Sequence, residues 1–77
     1  MNQHNEKGEK IGLWESYSET GELLYRINYK NGKQHGLYES FWKNGQLFTK
    51  GNFKSGRCGL WRYFDNYGEL KLTEFFI

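Results

Sequence analysis

The side chains that could do chemistry are few, and their spacing does not assemble a reactive site. The chain has two histidines, His4 and His35, one cysteine, Cys58, and one aspartate, Asp65. Neither histidine has a second ligand at the spacing that a metal site requires. Nothing in the pattern brings a nucleophile, a base and an orienting group together. We therefore expect a protein that is not an enzyme and that uses no metal ion and no cofactor.

Aromatic and cationic side chains form the second group that could act on another molecule. Aromatic residues make up 19% of the chain, and rings beside cations favour cation–π contacts and binding interfaces. The candidate partner-binding residues are those predicted to share an exposed aromatic and basic sheet face: Trp14, Arg26, Tyr38, Trp42, Phe48, Lys50, Trp61, Tyr63, Lys71 and Phe75.

The composition favours strands as the elements that position these side chains. Among 77 residues there are ten glycines, no proline and no alanine. Aromatic-rich sequence punctuated by glycine is typical of strands and tight turns, and the best helix former is missing. The length allows one small domain. The net charge of +2 is too small to indicate nucleic-acid binding by itself.

A repeat of about 24 residues runs through the chain. The copies span 7–30, 31–54 and 55–77, and we expect residues 1–6 to be a flexible tail. Each copy has glycine, leucine and aromatic residues at matching offsets, for example at Gly12-Leu13-Trp14, Gly36-Leu37-Tyr38 and Gly59-Leu60-Trp61. Within a copy the apolar residues alternate, which indicates strands. The repeat predicts an all-β, open, twisted antiparallel meander of about six strands built from three tandem hairpins.

The predicted strands are 12–18, 22–30, 36–42, 46–54, 59–65 and 69–76. Within each copy a three-residue loop ending in glycine joins two strands, and in the first copy it pairs Tyr17 with Leu23. We expect the same kind of loop at 30–32. The third copy is one residue shorter, so Ser55-Gly56 is predicted to form a two-residue turn that pairs Lys54 with Arg57.

This register divides the side chains between two faces. The predicted core face holds Leu13, Tyr17, Leu23, Tyr25, Ile27 and Tyr29 with their counterparts in the later copies. The other face pairs an aromatic ring with a cation in each copy: Trp14 with Arg26, Tyr38 with Lys50, and Tyr63 with Lys71. The strand ending in Phe75-Phe76-Ile77 is a free edge that a partner or a second copy could extend.

The frame of Gly-Leu-Trp or Gly-Leu-Tyr, followed by an aromatic residue and Gly-x-Leu, resembles the variant MORN repeat of bacterial and phage proteins. The segment 30–36, Lys-Asn-Gly-Lys-Gln-His-Gly, is the best single match. The resemblance covers about residues 7–77. It implies a meander that grows by adding hairpins and has no catalytic centre. It also implies antitoxin or immunity roles, because several bacterial members are described in those terms.

The expected function is a small protein-binding module that neutralises a partner, as an antitoxin, an immunity protein or a phage-encoded inhibitor would. The expected partner is a toxin, an effector or a host or defence enzyme, and a homodimer through a sheet face or the edge strand is also possible. The alternative is a MORN-type scaffold or an adaptor for anionic lipid surfaces. Nucleic acid is disfavoured, because glutamates dilute the positive field. A single cysteine and no secretory signal predict a cytoplasmic protein.

Overall fold

The computed structural model describes residues 2–77, which form one antiparallel sheet with its strands in chain order. The seven strands are β1 (Gln3–His4), β2 (Lys10–Tyr17), β3 (Leu23–Lys30), β4 (Lys33–Phe41), β5 (Leu47–Lys54), β6 (Arg57–Phe64) and β7 (Leu70–Phe76). The principal extents are 41 × 37 × 11 Å. A thickness of 11 Å corresponds to a single layer, so both faces of the sheet reach solvent.

The predicted all-β meander is confirmed, but the number of strands is wrong by one. The added strand β1 lies inside the segment 1–6, where Gln3 pairs with Ile11 and His4 with Lys10. Asn2 extends this edge, because its side-chain amide accepts from the backbone N–H of Glu15 at 2.8 Å. The flexibility of segment 1–6 in solution stays a prediction, and Met1 lies outside the described residues.

The loops within the three copies share one hydrogen-bonding scheme. In the first, the N–H of Ser18 donates to the carbonyl of Glu22, and the N–H of Gly21 donates back to Ser18. The same two bonds recur in the loops that start at Trp42 and Asp65. Gly21 has a φ of +89°, a conformation that side chains disfavour. The predicted three-residue loop with glycine last is therefore confirmed, as is the pairing of Tyr17 with Leu23.

A bulge next to each of these loops overturns the rest of the predicted register. Tyr17 pairs with Leu23, but Ser16 pairs with Tyr25, so Leu24 has no partner on β2. The bulge shifts the later pairs by one residue, and Trp14 consequently lies opposite Ile27. Corresponding shifts occur beside Phe41 and Phe64.

The three predicted ring–cation pairs are therefore wrong. Arg26 lies opposite Glu15 rather than Trp14. In the second copy Tyr38 lies opposite Gly51, and Lys50 lies opposite Glu39. In the third copy Tyr63 lies opposite Leu72, one residue beyond Lys71.

The turns between the copies also differ from the prediction. Lys30 pairs with Lys33 across the two-residue turn Asn31-Gly32, where a three-residue loop was expected. At the next turn Phe53, and not Lys54, pairs with Arg57. Each turn contains a non-glycine residue with a positive φ, 51° at Asn31 and 57° at Ser55. Pairing close to these turns makes β4 and β6 begin before the predicted positions 36 and 59.

The bulges give the sheet two chemically distinct faces. We call one the aromatic face, which holds Trp14, Tyr25, Ile27, Tyr29, Tyr38, Thr49, Phe53, Trp61 and Tyr63. We call the other the charged face, which holds Glu15, Arg26, Glu39, Lys50 and Arg62 with Leu13, Leu37, Leu60 and Phe75. Ile27 and Trp61, each 2% exposed, form the core. The prediction that placed Leu13 and Ile27 on one core face is wrong, because the bulge in β3 moves Ile27 to the side of Trp14.

Candidate functional site

The centre of the aromatic face is a cluster of rings packed on the backbone of β5. Trp61 stacks on Tyr38 with ring centres 5.6 Å apart, and the edge of Phe53 meets it at 5.1 Å. The indole lies directly over Gly51, where an added Cβ would be 2.1 Å from a ring carbon. The Trp61 N–H donates to the carbonyl of Asn52 at 3.1 Å. Only glycine at position 51 lets the ring lie this close to the strand.

A cleft of about 470 Å³ opens beside this cluster. Its lining combines rings with uncharged polar groups and one cation: Gln34, Tyr38, Ser40, Phe48, Thr49, Phe53, Arg57, Trp61 and Tyr63. Thr49 is buried, at 6% exposure, and Phe48 at the border is 38% exposed. The cleft therefore offers an apolar floor and polar groups for orientation, which is the usual character of a binding site.

Tyr63 and Arg57 at the cleft each have defined neighbours. The Tyr63 hydroxyl donates to the carboxylate of Glu74 at 2.8 Å. Burial, followed by this hydrogen bond, raises the pKa of Tyr63 above its ordinary value. The Arg57 guanidinium lies 5.0 Å from the ring centre of Trp61 and 5.7 Å from that of Phe76. Tyr63 is thus a neutral phenol at physiological pH, and Arg57 is a cation packed against rings.

Six of the ten predicted binding residues lie on or beside the aromatic face: Trp14, Tyr38, Trp42, Phe48, Trp61 and Tyr63. Trp42 and Phe48 pack with ring centres 4.3 Å apart, and the Trp42 N–H donates to the carbonyl of Phe64 at 3.0 Å. Trp61 is buried, so it supports the cleft from beneath. Phe48 offers the most accessible ring of this group.

The other four predicted residues lie elsewhere, so the predicted cations do not share a face with the rings. Arg26 and Lys50 are on the charged face, where Arg26 bonds to Glu39 at 3.3 Å and lies 3.7 Å from Glu15. Phe75 pairs with Leu60 on the same face and is 72% exposed. Lys71 forms ion pairs with two acids of the neighbouring loop, at 3.5 and 3.6 Å.

The cations that do meet the rings are Lys10 and Arg57, which the sequence analysis missed. The Lys10 ammonium lies 4.8 Å from the ring centre of Trp14 and 4.9 Å from that of Tyr29. A signal for both was present, because each cation stands four residues before a tryptophan in the same frame. The frames are Lys-Ile-Gly-Leu-Trp and Arg-Cys-Gly-Leu-Trp, beginning at residues 10 and 57. The middle copy has Gln34 in this position.

The repeat also identifies the family. The sequence model of the MORN repeat variant matches residues 10–31 and 34–55, which together are 44 of the 77 residues. The chain belongs to the MORN repeat variant family. No curated protein and no solved structure matches it. Since the matched residues end at 55, the third MORN copy at 55–77 stays a prediction, although its loop repeats the hydrogen bonds of the other two.

The MORN repeats build a surface suited to binding. Among residues 2–77, no group of three histidine, cysteine or acidic side chains could hold a metal ion. The same residues form no helix that is long and apolar enough to cross a membrane. MORN repeats are generally non-enzymatic, and the cleft is lined by rings, hydroxyls, an amide and a guanidinium group.

Proposed function

We propose that this MORN chain is a small protein-binding module that neutralises or inhibits a partner by occupying it through the aromatic face. The observation that supports this most is the cleft of stacked rings on a face that no second layer covers within residues 2–77. Tyrosine, tryptophan and phenylalanine are enriched at the centres of protein interfaces. Antitoxin, immunity protein and phage-encoded inhibitor are the versions of this role that we propose.

Preorganisation favours binding at this face. Tyr38, Trp61 and Phe53 hold one another in place, and Gly51 fixes the depth of the indole. Since these rings are already ordered, a partner that contacts them causes little further loss of side-chain entropy. The accessible rings at the border are Phe48, 38% exposed, and Tyr25, 40% exposed. A partner would contact these two first and insert an apolar group between them and the cluster.

The test is capture of a partner by the tagged chain in its source cells, with two matched variants. Phe48→Ser removes a ring of the aromatic face, and Leu37→Ser removes a side chain of equal exposure, 39%, from the charged face. We expect one stoichiometric protein to be retained by the wild type and by Leu37→Ser, and to be lost from Phe48→Ser. The activity of the captured protein should fall when the chain is added.

Recovery of no stoichiometric protein would overturn the proposal. Equal retention by both variants would remove the aromatic face as the contact surface. Circular dichroism of both variants serves as the folding control, because Phe48 also packs on Trp42.

A further inference from the structure

Charge is divided unevenly between the two ends of the strands. The end that carries the loop at 5–9 and the turns at 31–32 and 55–56 has six cations and two carboxylates, a net charge of +4: Lys7, Lys10, Lys30, Lys33, Lys54 and Arg57 against Glu6 and Glu9. The opposite end has a net charge of −2: Glu19, Glu22, Asp65 and Glu69 against Lys43 and Lys71. The net charge of +2 is therefore unevenly distributed, and the protein has a strong electric dipole along its strands.

The positive end contains a concavity of about 1000 Å³ in volume, which we call the basic notch. Besides Tyr29, its ionisable lining consists of four lysines, one histidine and one carboxylate: Lys10, Lys30, Lys33, Lys54, His35 and Glu9. The carboxylate of Glu9 accepts a hydrogen bond from the side-chain amide of Asn5 at 2.9 Å.

The lysines of the basic notch have no ionic partner within residues 2–77. Lys30 lies directly opposite Lys33, and Lys54 lies directly opposite His35. Like charges in directly opposed positions of a sheet are destabilising, and Lys30 and Lys33 are such a pair. Arg26 and Lys71, in contrast, each lie near two carboxylates. The fold thus keeps the notch lysines close together without neutralising them.

We propose that the basic notch binds an extended acidic segment of a protein. Lys30, Lys33 and Lys54 lie on one side of three consecutive strands, β3 to β5, so this row spans about 10 Å at the usual strand spacing. Lys10 lies on the other side, over rings of the aromatic face. An extended peptide places alternate side chains about 6.6 Å apart on one side, which lets two or three carboxylates meet such a row. Lysines spread over an open notch suit a distributed charge better than a single compact anion.

Two other polyanions fit the surroundings less well. Single-stranded nucleic acid needs free ring faces for stacking, but the Lys10 ammonium covers both Trp14 and Tyr29, the rings that border the row. An anionic membrane favours apolar side chains beside the cations. The exposed large apolar residues are elsewhere, at positions such as Tyr67, Leu70 and Phe75, and Tyr29 in the notch lining is half-buried.

This inference goes beyond the proposed function, because it concerns a second surface with a different chemistry. The basic notch would bind an acidic segment even if the aromatic face had no partner. Phe48→Ser should leave this binding unchanged, so the two proposals fail separately.

The experiment uses a fluorescein-labelled peptide of about ten residues that alternates glutamate and serine, long enough to span the row. Fluorescence anisotropy compares the wild type with two triple variants. Each variant loses three positive charges, so the net charge of both falls from +2 to −1. The notch variant is Lys30→Gln/Lys33→Gln/Lys54→Gln, and the control is Lys43→Gln/Lys50→Gln/Lys71→Gln. We expect about tenfold weaker binding by the notch variant and little change for the control. The glutamine version of the peptide should not bind.

Equal weakening by both triple variants would overturn the site, because net charge alone would then explain the binding. Tighter binding to a thymidine oligonucleotide, or to vesicles containing an anionic lipid, than to the peptide would overturn the assignment to a protein segment. A thermal melt keeps the test independent of any ligand. The notch variant should melt no lower than the wild type, since it relieves the repulsion expected between Lys30 and Lys33 in opposed positions, and a clearly lower melting temperature would contradict that repulsion.

Discussion

The aromatic face and the charged face come from the same strands, yet they are stabilised in different ways. The aromatic face contains both core residues, Ile27 and Trp61, and its rings pack in stacked and edge-on pairs. On the charged face, Leu37 and Leu60 remain 39% and 41% exposed beside a row of ionic side chains. A one-layer sheet can therefore build its core from rings on one side alone, and that side becomes a surface of closely packed rings.

The bulges decide which side chains reach the aromatic face. Each puts one extra residue into the second strand of a hairpin, namely Leu24, Phe48 and Lys71. Because side chains alternate along a strand, one extra residue exchanges the faces of all that follow. Ile27 thereby joins Trp14, and Arg26 joins Glu15.

The largest effects are predicted where Trp61 packs on Gly51 in the aromatic face. Gly51→Ala places a Cβ about where the Trp61 indole now lies, and Tyr38 and Phe53 prevent the ring from moving freely. We expect a loss of about 2 kcal/mol or more in the free energy of unfolding, measured by urea denaturation. This corresponds to a fall of about 10 °C or more in Tm for a domain of this size.

A double-mutant cycle makes this prediction specific to the ring. Trp61→Ala should cost about 3–5 kcal/mol by itself. The double variant Gly51→Ala/Trp61→Ala should lose clearly less than the sum of the single losses, because the clash disappears with the ring. Additive losses would mean that the indole does not lie on Gly51.

A smaller effect is expected on the charged face. Arg26→Gln leaves the carboxylates of Glu15 and Glu39 without their cation, but the Arg26 side chain is 41% exposed, so solvent screens the interaction. We expect a loss of less than about 1 kcal/mol in the free energy of unfolding. The matched control is Lys50→Gln, since Lys50 lies opposite Arg62 and has no ion pair within residues 2–77. If Lys50→Gln were as destabilising as Arg26→Gln, the ion pairs would not be the cause.

The repeat and the loops could be predicted from the sequence because they depend on local chemistry. Glycine at positions 21, 45 and 68 dictates a left-handed loop residue, and the repeat fixes the order of the strands. The aromatic content of the sequence led to the predicted binding residues, and six of these ten lie on or beside the aromatic face. Their role in binding stays a prediction.

The faces could not be predicted, because a bulge leaves no unambiguous mark in the sequence. Leu24, the unpaired residue of β3, is apolar like its neighbours. The alternation of apolar residues therefore fits two registers that differ by one residue. The sequence does not distinguish Gly51 from the other glycines, because its role depends on the Trp61 ring that lies over it. The pairing of Lys30 with Lys33 depends on a two-residue turn, where the sequence predicted a three-residue loop.

The central claim is that the partner meets the aromatic face, and position-specific crosslinking tests it most directly. A photoreactive phenylalanine analogue is introduced at Phe48 on the aromatic face, or at Leu37 on the charged face, two positions of nearly equal exposure. After illumination in the source cells, we predict one discrete crosslinked protein from position 48 and none from position 37. A crosslink from position 37 alone, or from neither position, would contradict the account.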